Sequence, residues 1–99
     1  MTLKMRLKKE IAEFIKHYVK ENFPGSSVYL FGSRADDNER GGDIDVLILS
    51  EVKLSFADIS KMRVRFYKEF GERKIDLVNF TYDEVDPFKD IALNKAVEL

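Results

Sequence analysis

Three aspartates are the residues of this sequence whose type and spacing could do chemistry. Asp43 and Asp45 open an apolar run in the stretch FGSRADDNERGGDIDVLI, and Asp76 lies inside a later apolar run. In a strand, residues i and i+2 share a face, so Asp43 and Asp45 should lie about 7 Å apart and point the same way. If the two runs are neighbouring strands, Asp76 lies beside them, and three carboxylates so close repel one another. A hard divalent cation such as Mg²⁺ would relieve that repulsion, so the pattern predicts a magnesium site.

Simpler roles exist for each carboxylate. Asp43 alone could be a turn residue that opens a strand. Asp45 and Asp76 are harder to explain this way, because aspartate is depleted in strands and both lie among aliphatic residues. One buried aspartate could pair with a Lys or Arg, but two in adjacent strands favour a bound metal ion, since unpaired buried charge is costly.

Gly32 and Ser33 supply a second component of the predicted site. A strand that ends in Gly-Ser offers a tight turn, backbone N–H groups and one hydroxyl, which are groups that bind phosphate oxygens. Such a pair is often only a turn. Phosphate donors together with carboxylate-bound Mg²⁺ in one cleft indicate phosphoryl or nucleotidyl transfer.

Other motifs do not fit the sequence. It contains no Gly-Lys-Ser/Thr, so it is not a P-loop protein, and it has no cysteine, which excludes disulfides and thiolate metal sites. The loop from Asp36 faintly resembles an EF-hand, but Leu47 stands where the bidentate glutamate is required. The single histidine, His17, falls in an amphipathic helix, and we expect a surface or partner-facing role for it.

The elements that must position these residues follow from apolar spacing and turn signals. Helical spacing predicts a first helix over 2–22, ended by Pro24 and Gly25, and a second from Ser55 to Gly71 with an apolar stripe from Phe56 to Phe70. A last helix should begin at Asp86-Pro87. We expect Phe88, Ile91, Ala92 and Val97 inside this last helix. Strands are predicted over 27–31, 44–49 and 74–80, with a loop over 34–42. The order α-β-β-α-β-α predicts an α/β fold with about three strands and helices packed on the sheet.

Length and charge limit the classes of protein. The chain has 99 residues, enough for one domain over 1–99, and a formal net charge of −1, so no broad nucleic-acid-binding surface is implied. Residues 72–99 are net acidic. No apolar run approaches the ~20 residues of a membrane span, and the N-terminus lacks the apolar core of a signal peptide. We therefore expect a cytoplasmic protein.

The Gly32-Ser33 pair, Asp43-x-Asp45 on a strand and Asp76 on a later strand resemble the signature of the DNA polymerase beta-like nucleotidyltransferases. The stretch FGSRADDNERGGDIDVLI is especially similar to the minimal nucleotidyltransferases of bacteria and archaea. The resemblance covers nearly the whole chain. It implies a polymerase beta-like core, a small mixed sheet of about three to four strands flanked by helices.

The resemblance also implies roles for individual residues. Asp43 and Asp45 would hold two Mg²⁺ ions, and Asp76 would bind one of them and help to deprotonate the attacking hydroxyl. Gly32 and Ser33 would bind the triphosphate of ATP, and Arg34 could contact the phosphates. The implied reaction is attack by a hydroxyl on the α-phosphorus of the nucleotide, with release of pyrophosphate.

The resemblance implies a partner as well. Larger relatives carry domains that bind the acceptor, and 99 residues leave no room for them, so we expect another protein or a second subunit to bring it. Minimal members are typically paired with a HEPN-domain ribonuclease toxin, act as its antitoxin, and in some cases transfer AMP to one of its tyrosines. No direct nucleic-acid or membrane binding is expected. Two alternatives stay open: a non-catalytic antitoxin that neutralises the toxin by binding, and a nucleotidyltransferase for small molecules.

Overall fold

The computed structural model describes residues 9–31, 44–71 and 74–99. Helices and strands follow one another along most of these residues. The elements in chain order are α1 (Lys9–Asn22), β1 (Ser27–Phe31), β2 (Ile44–Ser50), α2 (Phe56–Phe70), β3 (Ile75–Thr81), α3 (Pro87–Asn94) and β4 (Val97–Glu98). The predicted α/β class is confirmed, with three helices and four strands among the described residues. In that same part of the chain, no helix has both the length and the apolar character needed to cross a membrane.

The ends of α2 and α3 lie where capping chemistry predicts them. Ser55 Oγ accepts the backbone N–H of Asp58 at 3.0 Å, and the Asp58 carboxylate accepts the N–H of Ser55 at 3.3 Å, which is a capping box. Gly71 ends α2 with φ 77°, a backbone region that favours glycine. The Asp86 carboxylate accepts the N–H of Phe88 at 2.8 Å at the start of α3.

The sheet is mixed, with strand order β3-β2-β1-β4. β1 pairs antiparallel with β2 and with β4, whereas β2 pairs parallel with β3. A parallel neighbour requires a crossover connection, and α2 provides it. β2 is therefore an interior strand, while β3 lies at an edge of the described sheet.

Two expectations about the helices were wrong. Val97 was expected in the last helix, but α3 ends at Asn94 and Val97 pairs with Leu30 of β1. Phe56 was placed on the apolar stripe of α2, yet it is 83% exposed because it occupies the first position of the helix, outside the core. The first seven residues of the predicted first helix, 2–8, lie outside the described residues.

Each face of the sheet has its own apolar core. The helix-pair face is covered by α1 and α2, and its buried residues are Ile11, Ile15, Val19, Phe23, Val28, Leu30, Ile44, Val46, Ile48, Met62, Phe66 and Ile75. The α3 face is covered by α3 and buries Phe31, Leu47, Leu49, Phe80 and Ala92. Alternate residues of β2 enter opposite cores, which confirms that this strand is covered on both faces.

Lys89 of α3 is buried, with only 7% of its surface exposed. Its ammonium group donates hydrogen bonds to the backbone carbonyls of Thr81, Tyr82 and Glu84 at 2.8–3.1 Å. The lysine thus joins α3 to the turn that follows β3, and these three acceptors compensate the desolvation of its charge.

Candidate functional site

Asp45 and Asp76 lie side by side on neighbouring strands. The parallel register of β2 and β3 pairs Asp45 directly with Asp76. Neighbouring strands are about 4.8 Å apart, and paired residues point to the same face. The structure therefore confirms the prediction that the third carboxylate lies beside the Asp-x-Asp strand.

Phe31 completes a row across three strands. In the antiparallel register of β1 and β2 it is the partner of Asp45, so Phe31, Asp45 and Asp76 form a line across one end of the sheet. We call this line the carboxylate row. The chain leaves β1 at Phe31 and enters β2 at Ile44, so both ends of the connecting segment are anchored here.

The remaining predicted site residues follow or precede this row in the sequence. Gly32, Ser33 and Arg34 come directly after Phe31, and Asp43 comes directly before Ile44. All four lie outside the described residues, so their predicted contacts with phosphate and metal stay predictions. Two of the six predicted residues, Asp45 and Asp76, are thus brought together by the described part of the chain.

The two carboxylates differ in exposure because β2 is an interior strand and β3 is an edge strand of the described sheet. Asp45 lies on an interior strand and is half-buried, whereas Asp76 lies on β3 at the edge and is exposed. Strand alternation puts both on the α3 face, with Leu47 and Val78 two residues further along the same two strands. An incoming group from solvent can therefore reach Asp76 directly.

The donor set suits a hard cation. Two carboxylates on adjacent strands present oxygen ligands of the kind that Mg²⁺ prefers. Within 9–31, 44–71 and 74–99, no three His, Asp or Glu side chains come close enough to hold a metal ion together. Asp43, the third ligand predicted from the sequence, lies outside those ranges.

His17 lies on the surface of α1. Its Nε2 atom is 3.6 Å from Glu13 Oε1, and its side chain is 68% exposed. This position agrees with the surface role expected for it.

Phe31 and Phe88 next to the carboxylates were not identified as site residues from the sequence. The ring of Phe31 lies 5.8 Å from that of Phe88 of α3, in an edge-to-face arrangement. The β1–β2 register that sets Phe31 beside Asp45 depends on the length of the connecting segment, and apolar alternation alone does not specify it.

A separate polar cluster closes the opposite end of the sheet. The Glu84 carboxylate accepts the backbone N–H of Thr81 at 3.0 Å and pairs with Lys53 Nζ at 3.1 Å. The hydrogen bond from Thr81, followed by the one from Lys53, lowers the pKa of Glu84. This cluster stabilises the turn after β3 and is distinct from the carboxylate row.

A comparison with protein families gives one match that spans most of the chain. Residues 9–99 match the family model described as a nucleotidyltransferase domain. A search of curated proteins by sequence finds no significant match.

Solved structures of toxin–antitoxin complexes have chains of similar fold. A chain of the MntA–HepT toxin–antitoxin complex superposes with a TM-score of 0.67 at 16% identity, over 92% of this chain and 70% of that one. A chain from the complex of tri-AMPylated Shewanella oneidensis HEPN toxin with MNT antitoxin gives 0.69 at 17% identity, over 93% and 71%. A chain of a toxin–antitoxin complex with AMP-PNP gives 0.68 at 19% identity, over 87% and 69%.

Proposed function

This chain belongs to the nucleotidyltransferase domain family, and we propose that it transfers AMP from ATP to a hydroxyl group of a HEPN-domain toxin, acting as the antitoxin of that toxin. The observation that carries the proposal is the pairing of Asp45 with Asp76 in the carboxylate row. The acceptor class is suggested by chains of the same fold in complexes with HEPN toxins, one of which is tri-AMPylated.

The predicted site residues have different proposed roles, according to their positions. Asp45 and Asp76, together with Asp43, would hold two Mg²⁺ ions, which supply positive charge against the phosphate oxygens when bound. Ser33 and the backbone at Gly32 would bind the triphosphate, with Arg34 as a further phosphate contact. Half-buried Asp45 is held on an interior strand, which suits a ligand that must stay in place.

Exposed Asp76 is suited to a second task, proton removal from the acceptor. The acceptor hydroxyl gives its proton to an Asp76 carboxylate oxygen as the hydroxyl oxygen bonds to the α-phosphorus. The bond between that phosphorus and the bridging oxygen breaks, and pyrophosphate leaves. We propose a tyrosine as the acceptor, which is what the resemblance to the minimal nucleotidyltransferases implies.

Intact mass spectrometry tests this function. The product of the gene beside that of this chain, which the proposal expects to be a HEPN-domain toxin, is incubated with the chain, ATP and Mg²⁺, and a mass gain of one or more AMP units is expected. EDTA and the Asp43→Ala/Asp45→Ala double variant should each abolish the gain. A gain that survives the double variant would show that the site is wrongly assigned. A stable complex without any gain would instead support neutralisation by binding alone.

A further inference from the structure

Helix α3 exposes two apolar side chains, one of which contacts a residue of the carboxylate row. Phe88 is 46% exposed and Ile91 is 70% exposed. They are three residues apart, so they lie on neighbouring positions of one side of the helix. The Phe88 ring contacts Phe31, which is the partner of Asp45 in the row. We call Phe88 and Ile91 the α3 patch.

The patch is more apolar than packing on the sheet requires. Ala92 is buried against the sheet and Leu93 packs partly there, so α3 already has an inward apolar side. Ile91 adds exposed apolar surface on another side of the helix. Exposed apolar groups that adjoin a site, unlike single scattered ones, are typical of contact surfaces for other molecules.

The charges around the patch are acidic. Lys89, the lysine within α3, is turned inward and held by three backbone carbonyls. Asp90 of α3 is exposed and Asp86 at its cap is half-buried, whereas Lys95 is exposed at the C-cap, so the acidic flank lies towards the N-terminal end of the helix. The patch is therefore an apolar surface with an acidic flank, and it complements an apolar surface flanked by Lys or Arg.

We propose that the α3 patch is the docking surface for the protein that carries the acceptor hydroxyl, and that the patch binds an apolar surface of that protein flanked by basic residues. The inference rests on the proposed function and names the surface through which its acceptor is held. A partner seated on Phe88 and Ile91 lies beside Phe31, one strand from Asp45 and two from Asp76. Docking there would bring a hydroxyl to the row, which is the positioning that a bimolecular transfer needs.

The groove between α1 and α2 has basic residues at its rim, whereas the flank of the α3 patch is acidic. It has a volume of about 450 Å³, and Tyr18, Val64, Lys61 and Arg65 are among the residues that line it. Its rim is basic, and it lies on the helix-pair face, across the sheet from Asp45 and Asp76. A partner bound there would be separated from the carboxylate row by the sheet. Val64 of this groove is 53% exposed and serves as a matched control position.

Paired substitutions test the docking surface. Ile91→Lys removes an apolar contact and adds a positive charge towards the proposed basic surface, whereas Val64→Lys makes the same kind of change on α2. Both positions are exposed on helices, so both variants should fold, which circular dichroism checks. Calorimetry without ATP should show the affinity for the product of the neighbouring gene falling by about tenfold or more for Ile91→Lys and staying unchanged for Val64→Lys.

Each outcome decides the proposal. Wild-type affinity in Ile91→Lys, or an affinity loss confined to Val64→Lys, would overturn it, and so would the absence of binding by the wild-type protein. If Ile91→Lys loses helical signal, Ile91→Ser takes its place and should also weaken binding. AMP transfer is measured separately by intact mass, so binding that depends on Ile91 without any mass gain would overturn the proposed function and leave the docking surface standing.

Discussion

The two faces of the sheet differ in role, because one is closed by an apolar core and the other carries the candidate site. The helix-pair face is closed by two long helices, and Phe66 at its centre is fully buried among Phe14, Tyr67 and Phe70. The α3 face is covered by one eight-residue helix, and it carries the carboxylate row and the α3 patch. A small domain can thus keep one face for folding and leave part of the other open to ligands.

Strand β2 shows how this division arises in the sequence. Its seven residues are buried with the exception of Asp45, which is half-buried. Ile44, Val46 and Ile48 of this strand face α1 and α2 and are aliphatic, whereas the α3 face of the same strand begins with a carboxylate. One polar residue at the start of an interior strand is therefore enough to make one end of one face chemically different.

Removing one aromatic ring from each face tests whether the two faces contribute differently to the free energy of unfolding. Phe66→Ala should lower the free energy of unfolding by about 4 kcal/mol, because the ring is fully buried and leaves a cavity. Phe88→Ala should cost only about 2 kcal/mol, since nearly half of the residue is already exposed. Urea denaturation of the isolated chain measures both values. Equal losses would show that α3 closes its face as completely as α1 and α2 close theirs.

A substitution in the carboxylate row should lower the rate of AMP transfer and not the stability. Asp76→Asn is expected to slow AMP transfer by about 100-fold or more, because it removes negative charge from a site that must hold cations and accept a proton. It should leave the free energy of unfolding unchanged, since Asp76 is exposed on an edge strand. Mass spectrometry follows the transfer and urea denaturation follows the stability.

An exposed carboxylate at the other end of the sheet is the control for this substitution. Glu51 follows β2, so Glu51→Gln removes one negative charge far from the row. Transfer at the wild-type rate is expected from it. A large stability loss in Asp76→Asn would mean that Asp76 has a structural role instead.

Local signals in the sequence predicted much of this fold. Ser55, Asp58 and Gly71 mark the ends of α2 because capping needs only neighbouring residues. The same holds for Asp86 at the start of α3. The proximity of Asp45 and Asp76 could also be predicted, because two apolar strands joined by a helical crossover are expected to pair in parallel.

Features that depend on distant contacts could not be predicted in this way. β4 is two residues long and has no periodicity of its own, so the sequence pattern assigns Val97 to a helix, whereas in the structure it pairs with Leu30. The burial of Lys89 depends on three carbonyls after β3, and a lysine is ordinarily a surface residue. For the candidate site, residue types indicated the chemistry, but the place of Phe31 beside Asp45 required the register of a strand pair.

Lys89 offers a test of how α3 is held on its face. Lys89→Met keeps a similar length and removes the ammonium group, so three backbone carbonyls lose a charged donor. We expect the free energy of unfolding to fall by about 2 kcal/mol, a typical cost for hydrogen bonds that involve a charged group. Thermal and urea denaturation measure the change. A variant as stable as the wild type would show that apolar packing alone holds α3.

The smallest effect is expected at Glu84, whose backbone supplies one of these carbonyls. The pKa of Glu84 is lowered in the folded protein, so its carboxylate contributes stability that is present above the ordinary carboxyl pKa and is lost as the pH falls through the lower, folded value. Glu84→Gln should therefore lower stability slightly at neutral pH, and its deficit relative to the wild type should shrink in acid. Urea denaturation at several pH values between neutrality and acid gives this difference. A deficit that does not change with pH would show that the charge facing Lys53 contributes little and that the substitution acts through the packing of the side chain.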